Sequence, residues 1–290
     1  AAWKGNLEAT TALLNKSPNI SAVDEDGRTA LHYAAWHGNP QLIRLLSKHG
    51  ADINHTDDNG TTTLIWAVRS GRLPAVDEVL SRGSSINAQD KLGRTALIWA
   101  VYLGHQDIAD SIVRNGANLN IPDKLNRTPL TMATQQGHEK LVSKLIISGA
   151  TADATDVNGR SALWHAADAG SAPITTLLLK QRVKVDTSDT MGQTALMRAA
   201  RNGHSEVVSL LIQRGADVDT ESKHGNTALL FAAGYGHDKV VELLLKGEAD
   251  TDIRNHADNT ALLVAAEAGH LGVVNVLLAY GADTTTVNKL

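Results

Sequence analysis

The sequence predicts an all-α solenoid of stacked helix–turn–helix units, on three observations. A block of eleven residues recurs at a spacing of 33 with no insertion: TALHYAAWHGN from Thr29, TTLIWAVRSGR from Thr62, TALIWAVYLGH from Thr95, and onward to TALLVAAEAGH from Thr260. A glycine near the end of that block holds its phase nine times, from Gly5 to Gly269. The composition is rich in Ala and Leu, with a single Phe and ten aromatic residues in 290, as suits a core of closely packed helices.

Each element follows in order from this period. Asp24, Asp57, Asp90 and their successors open the unit with an Asp-x-x-Gly turn. Thr at the sixth position caps a first helix that ends at the recurrent glycine. A second helix follows, such as HSEVVSLLIQRG from His204 to Gly215, with apolar residues at helical spacing and a glycine stop. Neither helix buries its apolar side alone, so neighbouring units must stack. The repeats run 1–23 (partial), 24–56, 57–89, 90–122, 123–155, 156–188, 189–221, 222–254 and 255–287, read as one domain over 1–290 without internal linkers.

The unit D-x-x-G-x-T-A-L-x-x-A-A-x-x-G-H…L-L-x-x-G-A-D resembles the ankyrin repeat, and the resemblance covers essentially the whole chain. It implies an ankyrin-repeat solenoid: a turn, two antiparallel helices and a β-hairpin-like finger loop per repeat, in a curved stack whose inner face binds proteins.

Two repeats break the pattern. Arg182 and Glu248 stand where Gly50, Gly83, Gly116, Gly149, Gly215 and Gly281 end the second helix elsewhere. A left-handed non-glycine costs roughly 1 kcal/mol. Glu248 has Gly247 beside it, which offers to shift the turn. The repeat 156–188 also carries Ser171-Ala172-Pro173, and is expected to be the weakest unit.

The composition excludes several function classes. No cysteine is present, which removes disulfides, thiolate metal sites and cysteine nucleophiles, and fits a reducing compartment. A net charge of −4 and the lack of a basic stripe argue against nucleic acid as a partner. No apolar run approaches the ~18 residues of a membrane span, so direct membrane insertion is not expected. His105, His138, His204, His237 and His270 share one repeat position. Stacked equivalents lie roughly 8–10 Å apart, too far to converge on one ion, so each is expected to hydrogen-bond the adjoining turn. GHEKL at Gly137 lacks the second His of a metalloprotease helix, and GYGHDK at Gly234 does not follow a strand. No catalytic residue, cofactor site or metal site is assigned.

The aromatic residues are distributed unevenly. Counting from the Asp of the turn, Leu at position 8 and the small residues at 11 and 12 form an inward stripe, and positions 9, 10, 13 and 14 are expected to face the other way. Nine of the ten aromatics fall at those four positions. Position 10 either faces the groove or packs sideways against the same position of adjacent repeats. Position 13 is read as groove-lining. The candidate partner-binding residues are therefore Trp36, Trp66, Trp99 and Tyr102 as anchors, with Arg94, Arg127 and Lys124 at the rim. The function expected is a non-catalytic scaffold for a protein or peptide, acidic with apolar anchors. The alternative is a regulatory or targeting module of a larger protein, a channel, toxin or enzyme, whose activity lies elsewhere in the polypeptide. The location expected is the cytoplasm or the cytoplasmic face of a larger protein. Ala1-Ala2 align with Ala34-Ala35, and Asn288-Lys289-Leu290 with Asp90-Lys91-Leu92, so the array is expected to continue past both ends.

Overall fold

Thr and Gly set the length of the first helices. The hydroxyls of Thr62, Thr95 and Thr128 each accept the N3 backbone N–H at 3.2 Å. Gly71, Gly104 and Gly137, two residues past the last helical residue, turn left-handed at φ 69°, 73° and 70°. Seven helical residues and one C-cap residue fit between the threonine and the glycine. The computed structural model describes residues 1–16 and 18–288. Lys289 and Leu290, read above as part of a further repeat, lie outside the described residues.

Contacts group the chain into two units, Ala1–Thr151 and Ala152–Leu290. In the first, a 3₁₀ turn at Ala2–Lys4 precedes α1 (Leu7–Leu14), α2 (Ala30–Trp36), α3 (Pro40–Lys48), α4 (Thr63–Arg69), α5 (Leu73–Ser81), α6 (Ala96–Tyr102), α7 (Gln106–Arg114), α8 (Pro129–Gln135) and α9 (Glu139–Ile147). First helices pack in series, α2 on α4, α4 on α6 and α6 on α8, and each lies against its own second helix. Leu31, Leu64, Leu97 and Leu130 are fully buried, and Ala34, Ala67, Ala100 and Ala133 let the helices approach closely. Complete burial of one such leucine stabilises by about 1.5–3 kcal/mol.

Position 9 departs from expectation. Ile65, Ile98 and Thr131 are buried here, as is Trp164 in the second unit. At 100° per residue, position 9 points sideways, toward the adjoining repeat, and each first helix is flanked by another. Positions 13 and 14 keep an open side, and position 10 does so at Tyr33, Trp66 and Trp99 but not at Met132 or His165, which are buried.

The finger loops are tighter than the resemblance implied. Among the described residues they form isolated antiparallel bridges (Val23 with Thr29, Thr56 with Thr62, Thr155 with Ser161) and no strand. Adjacent fingers are joined by one backbone bond each, Lys91 N–H to Asn59 O at 2.8 Å and Lys124 N–H to Leu92 O at 3.0 Å. A Cβ on Gly93 would stand 2.8 Å from the Lys124 backbone nitrogen, so this approach requires glycine as well as φ 75°.

The second unit holds α10 (Ala162–Asp168), α11 (Ala172–Leu179), α12 (Ala195–Arg201), α13 (Ser205–Gln213), α14 (Ala228–Gly234), α15 (Asp238–Lys246), α16 (Ala261–Glu267) and α17 (Leu271–Ala279). The phase-locked histidines act between repeats rather than within one turn. Nε2 of His204, His237 and His270 donates to the carbonyls of Asp168, Arg201 and Gly234, at the end of the preceding first helix. The two irregular repeats solve their glycine problem differently. Glu248 itself turns left-handed at φ 67° while Gly247 stays at φ −85°, so the turn does not shift onto Gly247. Arg182 avoids positive φ: α11 is eight residues long and is capped at Lys180.

Candidate partner-binding surface

Two positions on α2, α4 and α6 build one surface in the first unit. Position 10 supplies Tyr33, Trp66 and Trp99, and position 13 supplies Trp36, Arg69 and Tyr102. Trp66 Nε1 donates to Asp57 Oδ2 at 3.0 Å and Trp99 Nε1 to Asp90 Oδ2 at 2.8 Å. Tyr33 donates its hydroxyl to Asp24 in the same way. Burial raises the Asp24 carboxyl, but hydrogen bonds from Tyr33 and Arg28 outweigh it and hold the group well below the usual carboxylate range. Position 10 is thus neither free in the groove nor purely sideways packing. Its polar tip is tied to the turn of its own repeat, and its ring lies half-buried on the surface.

Rings and guanidinium groups alternate across this surface. Trp36 meets Trp66 edge-on with centroids 5.2 Å apart, and Trp99 meets Tyr102 at 5.9 Å. The Arg69 guanidinium carbon lies 4.6 Å from the Trp66 centroid, 5.1 Å from Trp99 and 5.9 Å from Trp36. Arg94 lies 4.8 Å from Trp99 and 5.2 Å from Tyr102. Each such contact contributes about 0.5–2 kcal/mol, depending on how dry it is. Trp36 and Tyr102 remain 47% and 40% exposed. A recess of about 360 Å³ opens between Trp3, Tyr33, Trp36, Trp66 and Arg69. Another, of about 420 Å³, opens between Asp57, Trp66, Arg69, Asp90, Lys91 and Trp99.

Of the residues expected at the site, Trp36, Trp66, Trp99, Tyr102 and Arg94 are brought together. Lys124 is exposed on the next finger. Arg127 donates twice to Asp123 Oδ2, at 2.9 and 2.6 Å. Its repeat has Met132 at position 10, which offers Asp123 no donor, and Arg127 takes that place. Arg69 was missed by the sequence reading, although an arginine three residues after Trp66 on a helix is spaced to reach that ring.

A sequence profile for ankyrin repeats, built on three copies, matches residues 1–90, 74–156, 130–222 and 214–288. The chain belongs to the ankyrin-repeat family. Among curated proteins, none matches it. Ankyrin repeats are typically non-catalytic modules of protein–protein interaction, and the surface on α2, α4 and α6 lies on the first helices of three successive ankyrin repeats. Among the described residues, no helix is long and apolar enough to cross a membrane.

Proposed function

We propose that the chain is a non-catalytic recognition scaffold that holds a protein or peptide partner in the concave groove of its first five repeats. The observation that carries this reading is the unbroken aromatic–guanidinium surface from Trp36 to Tyr102. Core packing does not demand it, because position 13 accepts Gln135 and Glu267 elsewhere in the same chain. Large rings flanked by arginine supply contact area at low conformational cost, as interface hot spots do. Lys124 belongs to the rim of this groove, whereas Arg127 shapes the finger through Asp123. A cysteine-free chain of this kind suits the cytoplasm, or the cytoplasmic face of a larger protein.

The test is truncation at the two exposed anchors. Trp99 is a poor choice because its removal also strips Asp90 of a donor. Trp36→Ala with Tyr102→Ala leaves every such bond in place. The expected result, for a partner identified by cross-linking, is an affinity loss of at least ~30-fold with little change in thermal midpoint. Unchanged affinity would mean that the rings are structural.

A further inference from the structure

The charges on this surface are distributed unusually. Among the described residues no carboxylate pairs with Arg69, Lys91 or Arg94. Three carboxylates nevertheless stand in the same recess as Arg69 and Lys91: Asp26, which pairs with Arg28, Asp57 and Asp90. Asp57 accepts from Asn59 N–H, Thr61 N–H and the Trp66 indole; Asp90 accepts from Leu92 N–H, Arg94 N–H and the Trp99 indole. Neutral donors occupy Asp57 and Asp90, and aromatic faces occupy the guanidiniums of Arg69 and Arg94. A guanidinium stacked on rings keeps its N–H edge available, and that edge matches a carboxylate in two-pronged fashion. The Arg94 Nε is buried with no hydrogen-bond partner.

We propose that Arg69 is a carboxylate anchor. It receives a Glu or Asp side chain from an extended segment of the partner, while an adjacent apolar side chain of that segment enters the recess between Tyr33, Trp36 and Trp66. This rests on the groove reading above and specifies the chemistry of its occupant. A single carboxylate matches the two-pronged edge of one guanidinium, and a phosphate is the alternative that the test distinguishes. In the recess beside Arg69, whose lining also includes Arg28 and His32, the edge-on rings of Trp36 and Trp66 offer the apolar contact that favours an apolar neighbouring residue.

The test needs no knowledge of the natural partner. A phage-displayed library of random dodecapeptides is selected on the 290-residue chain, and the best binder is synthesised with its acid intact and as the Glu→Gln or Asp→Asn form. Selected peptides are expected to share an acidic residue next to an aromatic or aliphatic one. Amidation should weaken binding to the wild-type chain about tenfold or more, the size of a charged hydrogen-bonded contact. On Arg69→Gln it should matter less than about twofold. Arg69→Lys, which retains charge without the planar edge, should fall between. Should Arg69→Gln fail to fold, Arg69→Lys and the peptide-side change carry the comparison, since the latter alters nothing in the protein.

Equal losses on wild type and Arg69→Gln overturn the anchor. So do peptides without acid whose binding is still abolished by Trp36→Ala with Tyr102→Ala, and that outcome leaves the groove reading standing. A phosphoserine that binds tighter than the acid it replaces overturns the carboxylate assignment. A selection with no binder sensitive to Trp36→Ala and Tyr102→Ala removes the groove reading and the anchor together.

Discussion

Asp90 accepts the indole N–H of Trp99 at 2.8 Å, nine residues along the same repeat. The same step joins Asp57 to Trp66, Asp24 to Tyr33 and, in the second unit, Asp156 to His165 at 3.1 Å. Where position 10 is apolar, the opening residue changes with it: Ser222 accompanies Phe231 and Asn255 accompanies Val264. Met132 keeps Asp123, and Arg127 supplies the missing donor. Asp189 is the exception: Arg198 at position 10 turns to Asp168 instead, and the less buried Asp189 keeps only backbone donors. Where the opening acid is buried, a side chain supplies a donor, since a buried carboxylate oxygen without one is costly.

Trp99→Phe should accordingly destabilise the chain by about 1–3 kcal/mol, beyond any change in packing. Adding Asp90→Asn should recover part of that loss, because it reproduces the Asn255–Val264 combination. Urea denaturation of the two single variants and the double variant measures the coupling. Strict additivity would show that the indole–carboxylate bond contributes nothing to stability.

Trp164 should behave in the opposite way. It sits at position 9, only 4% exposed, and its Nε1 has no hydrogen-bond partner. Trp164→Phe removes an unsatisfied donor while keeping a ring between Arg160 and Arg198, whose guanidinium carbons lie 4.7 and 4.8 Å from its centroid. The expected change is within about 1 kcal/mol of zero and clearly smaller than that of Trp99→Phe.

The same repeat, 156–188, should open first. Besides Trp164 Nε1 it holds Arg160 Nε and Thr175 Oγ1 buried without partners, and α11 is a residue shorter than the interior second helices. Amide exchange resolved by repeat should be faster in Ala172–Leu179 than in Gln106–Arg114. Equal protection would show that these defects are compensated.

Two glycines of one repeat separate two causes of intolerance. Gly203 and Gly215 both have positive φ, 76° and 78°. A Cβ at Gly203 would come 2.7 Å from the His237 ring, whereas one at Gly215 meets nothing within 4 Å. Gly215→Ala should cost about 1 kcal/mol from the backbone alone, and Gly203→Ala distinctly more. Adding His237→Ala to Gly203→Ala should relieve the contact but forfeit the bond to Arg201 O, which thermal unfolding of the set can resolve.

Acid should weaken the fold through two buried imidazoles. Burial lowers the pKa of both His32 and His165 from 6.5. His32 has a further reason to stay neutral: its Nδ1 accepts the Thr29 N–H at 3.0 Å while Nε2 donates to His55 O at 3.1 Å. The unfolded chain therefore takes up these protons first. Their contribution to stability is intact above about pH 6.5 and declines as pH falls below it, until the folded imidazoles also protonate. His32→Gln with His165→Gln should flatten stability against pH in that interval, and an unchanged slope would assign the acid sensitivity to other groups.

Period, caps and composition by themselves determined the repeat boundaries, the lengths of the first helices and the leucine–alanine core. These depend on contacts within one repeat, and the sequence states them eight times over. They also determined where the aromatics cluster. Which of those aromatics would be exposed was decided by the tertiary structure. A helical wheel has two sides, but a first helix flanked by others and backed by a second helix has three of its sides covered. Position 9 was consequently lost to the interior, and position 10 was half-claimed by the turn. The structure likewise decided the state of each charge. In the sequence Arg69 and Arg94 lie in or just before helices that carry tryptophan, and Arg127 stands just before the aromatic-free α8 at the same repeat position as Arg94. Only packing places Arg127 on Asp123, Arg94 against Tyr102 and Arg69 among three indoles, because each outcome depends on whether a nearby acid already has a donor.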